Sequence, residues 1–338
     1  MTWLTWRQFR APALAGLAGL TLLAAYLVHL GLAVRQDHHA YLSRCRSGGD
    51  CGRALAQFLG EYQNPLLYVA GLLALVPAVL GMFWGAPLVA RELEAGTHRL
   101  VWNQSVTRTR WFAVKLLVVG LAAMAVAGLA SALLTWAAGP VDRLAGDRFS
   151  TIVFGARNLA PVAYAAFAVT LGTVVGLLVR RTLPAMALTA VAFAVVQVMV
   201  PTVVRPHLLP PVTVSRPMDA AAINEARGLG SITGAPVVRG LSVPDAWVSD
   251  VSELRTADGR PLSTDRFDRC LQDPPATGAT GTFGDAAACL GRLDLHVVLA
   301  YQPNDRYWTF QCLESGGYLA LAGLLAGFGR WRIRRRVT

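Results

Sequence analysis

Six apolar runs divide this chain, and polar segments of very unequal length separate them. The first run is about 11–34, "APALAGLAGLTLLAAYLVHLGLAV", and the second about 66–89, "LLYVAGLLALVPAVLGMFWGAPLV". The third is about 112–138, the fourth about 159–179 and the fifth about 183–204, with a short "RRT" turn between the last two. The sixth, about 313–329, has a clean apolar core only from Tyr318 to Phe328. A bilayer core of roughly 30 Å needs about 20 apolar residues in a helix. Lipid offers no partner to free backbone groups, so each run predicts a membrane-spanning α-helix. The first run is longer than the roughly 7–15 residues of a signal-peptide core, and it continues to Arg35. It therefore predicts a permanent helix.

The polar segments complete the layout. Residues 1–10, "MTWLTWRQFR", place Trp3, Trp6, Phe9 and Arg10 beside the first span, as in an interfacial segment or an aromatic belt. Residues 35–65 predict a polar loop. Its "DHH" at Asp37 to His39 lacks the spacing of a recognised metal site, so no metal is expected. Residues 205–311 are the largest polar segment. "RPHLLPPVTVSRP" favours extended chain, "AAINEARGLG" reads as helix, "APVVRGLSV" and "LDLHVVLAYQP" as strands, and "DPPATGATGTFGD" as a loop. Residues 312–338 then form the last helix and a basic tail. The predicted fold class is an all-α integral membrane protein with six transmembrane helices. A mixed α/β extracytoplasmic segment lies between helices five and six.

Composition supports this reading. Of 338 residues, 54% are hydrophobic and 15% charged. Soluble domains carry about 25% charged residues. Mean hydropathy is +0.44. The net charge of +11 is explained by position. With both termini cytoplasmic, the inside segments hold 14 Lys and Arg against two carboxylates, Glu92 and Glu94. The other segments hold 17 against 18. That is the positive-inside pattern, facing anionic headgroups. The cations are dispersed at helix ends with no recognition module around them, so nucleic acid is not an expected partner.

Cysteines fit the same orientation. Cys45 and Cys51 share the first outer loop, and Cys270 and Cys289 the long outer segment, where oxidation favours disulfides. These are the preferred pairs, with five free thiols as the alternative, because spacing alone cannot fix connectivity. Cys312 is left over and reads as a buried small hydrophobe, with pairing to another cysteine as the alternative. Gly81 and Gly85, Gly172 and Gly176, and Gly323 and Gly327 each form G-x-x-x-G, which permits close helix contact.

Several chemistries are missing. No H-E-x-x-H, G-x-S-x-G or G-x-x-x-x-G-K-[ST] occurs, and the only lysine is Lys115. The chain therefore has no P-loop and no catalytic motif of these kinds. No Asp or Glu falls in mid-span. Glu314 is expected at the outer rim, and Lys115 one turn inside the third span, where it can snorkel. His29 reads as an interfacial hydrogen-bonder. Gln197 reads as a bond to a neighbouring helix or as part of a substrate path.

The stretch "RELEAGTHRLVWNQSVTRTRWFAVK", Arg91 to Lys115, carries a family resemblance. Together with the six-span layout, it resembles the membrane subunits of ABC exporters, most closely the G-subfamily-like branch with the ATPase on a separate chain. The similar features are Glu92 and Glu94, then Gly96 and Thr97, Leu100, Thr107 and Arg108, and Lys115 entering the next helix. A proline commonly precedes the Ser/Thr-Arg pair, and here the stretch reads "QSVTR". The closing 301–336 also resembles actinobacterial permeases, and the Arg-rich, Ala-rich composition fits a high-GC organism.

The resemblance implies a permease subunit in a bacterial plasma membrane that exports a hydrophobic or amphipathic substrate by alternating access. It implies a permease dimer bound to two ATPase subunits. ATP and Mg would sit on those partners, with no cofactor and no enzymatic activity in this chain. Residues 91–111 would be the cytoplasmic coupling loop, with Glu92, Leu93, Glu94, Gly96, Thr97, Leu100 and Arg108 in contact with the ATPase. On the residues alone, Glu92 and Glu94 read equally as loop-solvating groups or as local partners of Arg91 or Arg99. Phe83, Trp84, Tyr164, Phe167 and Gln197 are candidate substrate-path residues. A membrane sensor or scaffold that binds through 205–311 is the alternative function. An intramembrane enzyme is disfavoured, because no catalytic constellation appears.

Overall fold

Helices begin almost at the N-terminus and carry most of the chain. The computed structural model describes residues 2–96, 107–145, 148–232, 234–243 and 246–336, without the side chains of 2–9, 11, 12, 232 and 336. The chain forms two compact units. The first comprises Met1–Leu208 with Trp308–Thr338, and the second Leu209–Tyr307.

In the first unit, α1 (Thr2–Arg46) is unbroken from the N-terminal segment onward. α2 (Cys51–Leu80) runs through a π-helical turn (Gly81–Gly85) into α3 (Ala86–Glu94). α4 (Arg108–Ala145), the short α5 (Thr151–Ala156), α6 (Ala160–Val179) and α7 (Thr182–Met199) follow. α7 continues through a second π turn (Val200–Val204) into a 3₁₀ turn (Arg205–His207). α11 (Tyr307–Arg336) closes the chain. Among the described residues, six helices are long and apolar enough to cross a membrane.

The polar composition of 35–65 predicted a loop, but the structure makes it a helical hairpin. Polar side chains do not break a helix without Gly or Pro, and only Gly48 and Gly49 interrupt this one. Gly48 takes a positive φ of 79°, and the Asp50 carboxylate caps α2 by accepting the Arg53 N–H. Cys45 and Cys51 are disulfide-bonded across the turn, with Cα atoms 5.0 Å apart.

α6 is the central helix. Its most apolar stretch is 72% buried, against 17–39% for the other five spans. The reason is glycine. A Cβ on Gly172 would lie 2.3 Å from the Gly81 carbonyl oxygen, and one on Gly176 2.5 Å from that of Ala86. Two of the three G-x-x-x-G pairs thus pack against each other and bring the π turn and the start of α3 into backbone contact with α6. The third, Gly323 and Gly327 on α11, has nothing within 4 Å. α1 meets the bundle by a related device. Trp84 seats against Gly16 and Trp136 against Gly31, and Arg35 stacks on Trp136 at 3.9 Å.

In the second unit, an antiparallel sheet has the order β1 (Val212–Pro217), β6 (Leu295–Pro303), β4 (Ala246–Val251), and β5 (Arg255–Thr256) also pairs with β6. The register sets Val212 opposite Tyr301 and Ala246 opposite Pro303. β6 alternates, turning Leu295, Val297 and Leu299 into a core with Met218, Ile223, Phe267 and Leu290. β2 (Gly228–Ile232) and β3 (Ala235–Arg239) form a separate antiparallel pair. "AAINEARGLG" is helical only as α8 (Ala220–Asn224), and its RGLG end enters β2. Gly has poor helix propensity, which accounts for the early stop.

Two further helices escaped the sequence reading, α9 (Thr264–Gln272) and α10 (Gly284–Gly291). Each is under ten residues, too short for a clear period. The Cys270–Cys289 disulfide joins them. Asp285 accepts hydrogen bonds from the Thr277 hydroxyl and from the backbone N–H groups of Thr277 and Ala279, which anchors the 274–283 loop. Those bonds, the Thr277 hydroxyl's foremost, hold its carboxyl below the usual carboxylate range.

Candidate functional site

The last turn of α3, the first turn of α4, the α6–α7 turn and the final turns of α11 meet at one end of the first unit, called proximal below. A cluster of Val89, Trp111, Phe112, Leu177 and Ile333 ties α3, α4, α6 and α11 together there, with Leu93 and Leu116 packed against it.

Glu92 was expected to face outward, available to a partner. It is instead 8% exposed, and its Oε1 lies 2.5 Å from Lys115 Nζ, with both side chains almost entirely buried. Helical spacing explains the difference. Val89 and Glu92 are three apart on α3 and share the face turned to α4, where Lys115 points back at them. Lys115 also lies 4.9 Å from the Trp111 ring, so it packs inward instead of snorkelling. Glu94 remains exposed, yet its carboxylate accepts the Thr182 N–H at 2.9 Å and the Thr182 hydroxyl at 2.7 Å. It thereby caps the first turn of α7, whose own N-cap, Arg181, makes no side-chain cap bond.

The other expected coupling residues are divided. Leu93 is half-buried in the apolar cluster. Gly96 has φ +69°, the left-handed conformation that ends α3. Arg108 is exposed at the first turn of α4. Thr97 and Leu100 lie outside the described residues. The surface that remains is basic: Arg91, Arg108, Arg110, Arg180 and Arg181 are all exposed.

The opposite, distal end of the first unit holds a buried polar core that the sequence reading missed. Arg205 Nε donates to Glu314 Oε2 at 2.8 Å and Arg205 Nη2 to Glu314 Oε1 at 3.1 Å, with side-chain exposures of 1% and 0%. The Tyr164 hydroxyl donates to the same carboxylate. Arg205 stacks on Phe154 at 4.0 Å. Gln311 bridges α5 and α6: its Oε1 accepts the Ala160 N–H at 3.0 Å and its Nε2 donates to the Phe154 carbonyl at 3.2 Å. Nearby, Arg157 donates to both oxygens of Asp142 at 2.7 Å. Glu314 is therefore a buried counter-charge for Arg205. The only signal in the sequence was one charge on each side of the long polar segment, at 205 and 314.

Three of the five path candidates converge beside this core. The Tyr318 hydroxyl donates to Gln197 Oε1 at 3.2 Å. The Tyr318 ring lies 4.4 Å from Tyr164 and 5.4 Å from Phe167, which in turn meets Phe193. The other two do not join them: Phe83 is 53% exposed, and Trp84 is buried against Gly16. His29 is exposed on α1. Cys312, expected to be buried, is an exposed free thiol. Among the described residues, no group of three or more His, Cys, Asp or Glu could hold a metal. Asp37 instead accepts the Tyr62 hydroxyl, and His38 packs beside Phe58.

Buried ion pairs thus join helices at both ends, and among the described residues the proximal end exposes several arginines. No curated protein and no solved structure matches the chain. The family model described as ABC-2 membrane transporter related matches residues 17–205, which span the first five candidate helices and more than half of the sequence. The chain belongs to the ABC-2 membrane transporter related family.

Proposed function

We propose that this chain is the membrane-spanning permease subunit of an ATP-driven exporter whose ATPase is a separate polypeptide. The family match over residues 17–205 carries the reading. The absence of a P-loop motif from the sequence supports an external motor. ATP and Mg then belong to that motor, and this chain performs no catalysis of its own. The distribution of Lys and Arg supports cytoplasmic termini in a bacterial plasma membrane, with the Leu209–Tyr307 unit outside. A dimer of permeases with two ATPase chains is the assembly proposed.

Force enters at the proximal end. A push on the segment following Glu94 reaches α4 through Glu92 and Lys115, and α7 through Glu94 and Thr182. The whole 91–111 segment is the lever in this account, and Glu92 is one of its internal joints. The aromatic cluster of Tyr164, Phe167 and Tyr318 with Gln197 suits an apolar or amphipathic cargo, which alternating access would expose to each side in turn.

The test is co-purification with a P-loop ATPase encoded beside the gene. The expected result is an equimolar complex that hydrolyses ATP. If no ATPase ever associates, the transporter reading fails, and a membrane sensor that works through its second unit takes its place.

A further inference from the structure

The two glutamates of the proximal face are both engaged within the chain: Glu92 by Lys115, and Glu94 by Thr182. Among the described residues, exposed arginines stand beside them at positions 91, 110, 180 and 181. We infer that the proximal face docks an acidic groove on the ATPase through these arginines, so that the partner supplies the carboxylates. This rests on the permease reading and specifies its partner's chemistry.

Position separates this role from ordinary headgroup contact. Basic residues around the perimeter of a bundle meet anionic lipid. Arg180 does not leave a perimeter helix. It ends α6, the most buried span, which packs against α2, α3, α4 and α7. Its φ of 59° turns the chain sharply into α7, and its backbone N–H bonds the Gly176 carbonyl. The turn is thereby fixed at the end of the most buried span, and in the proposed topology it faces the cytoplasm. The Glu94–Thr182 bonds tie the end of α3, which carries Arg91, to the start of α7, and the Lys115–Glu92 pair ties α3 to α4, which carries Arg110. Guanidinium groups suit such a surface, because each can take a carboxylate in a two-point bond.

The chain's lysine content provides a direct experiment. Its single lysine, Lys115, is 3% exposed. In the double variant Arg180→Lys/Arg181→Lys the new amines become the accessible lysines. The full-length variant is co-expressed with the ATPase, purified as the complex and treated with a water-soluble carbodiimide, which joins an amine to a carboxylate as an amide. Expected is a cross-link from position 180 or 181 to an Asp or Glu of the ATPase, found by mass spectrometry. In parallel, Arg180→Glu/Arg181→Glu should lower ATPase capture at least tenfold at physiological salt. Wild-type capture should weaken as salt is raised.

A matching size-exclusion profile for the Glu variant keeps a folding failure from counting as support, and retained capture by the Lys variant shows that charge is what matters. If the Glu variant holds the ATPase at full stoichiometry and the Lys variant gives no cross-link, the inference is overturned and these arginines serve headgroups. If the wild-type chain captures no ATPase at all, the permease reading itself falls, which is a distinct outcome.

Discussion

The two ends of the membrane unit are both fastened by buried charge, but in different ways. At the distal end Arg205 grips Glu314 through two nitrogens, Tyr164 adds a third bond, and water reaches none of it. At the proximal end a single ammonium, Lys115, meets Glu92 beside exposed arginines and the 95–107 connection. A fork fixes distance and orientation together, whereas a point charge on a flexible stem fixes only distance. Buried pairs add little net stability over apolar packing, but removing one partner leaves an uncompensated charge. The distal end is therefore held as a strut by a two-point fork, and the proximal end as a joint made by one short ion pair. The proposed function, in which force enters at the proximal end, makes use of that difference.

The largest effect should come from breaking the strut. Arg205→Met or Glu314→Gln should each cost about 3–5 kcal/mol, and Arg205→Met with Glu314→Met should recover most of that loss. The thermal unfolding midpoint in detergent checks this. A double variant as unstable as either single one would refute the strut.

Next comes the packing that holds α6 midway between the two ends. Gly172→Ala would place a Cβ 2.3 Å from the Gly81 carbonyl oxygen. Overpacking of this kind costs about 1–3 kcal/mol. Gly323→Ala, which meets nothing within 4 Å, should leave the midpoint within about 0.5 kcal/mol of wild type.

At the joint, Lys115→Arg should fold nearly as well as wild type, because charge is kept. ATP hydrolysis by the assembled complex should nevertheless fall severalfold, because a fork stiffens the pivot. Unchanged hydrolysis would erase the distinction between the ends.

The smallest effect belongs to Asp285, a half-buried carboxylate held by hydrogen bonds from Thr277 and Ala279. Its folded pKa is lowered. Its contribution is therefore present above the unfolded carboxylate pKa and is lost as pH falls through the lower, folded value. Hydrogen exchange of residues 277–285 should quicken relative to the rest of the second unit on acidification through that window. In Asp285→Asn the same loop should show no such pH step.

Much of this architecture was legible in the residues. The apolar runs located all six candidate spans, and the placing of four cysteines in two outer segments pointed to both disulfides. Helix ends were not legible, since Asp37, His38 and Arg44 read as loop while sitting comfortably in α1. The G-x-x-x-G pairs were visible, but not which would meet, because that depends on the facing helix. The candidate site was harder still. Glu92 and Lys115 stood out by type, yet only the rotation of α3 against α4 decides that they pair with each other. Arg205 and Glu314 are 109 residues apart, with the whole second unit between them in sequence, so no local pattern connects them.

The most direct test of the whole account is a cryo-electron microscopy structure of the purified chain with its ATPase. Two ATPase subunits should seat against the proximal ends of two permease chains. Acidic side chains should meet Arg180 and Arg181, and Lys115 should still face Glu92 inside the bundle. ATPase seated elsewhere on the chain, or no ATPase in the particles, would contradict the account.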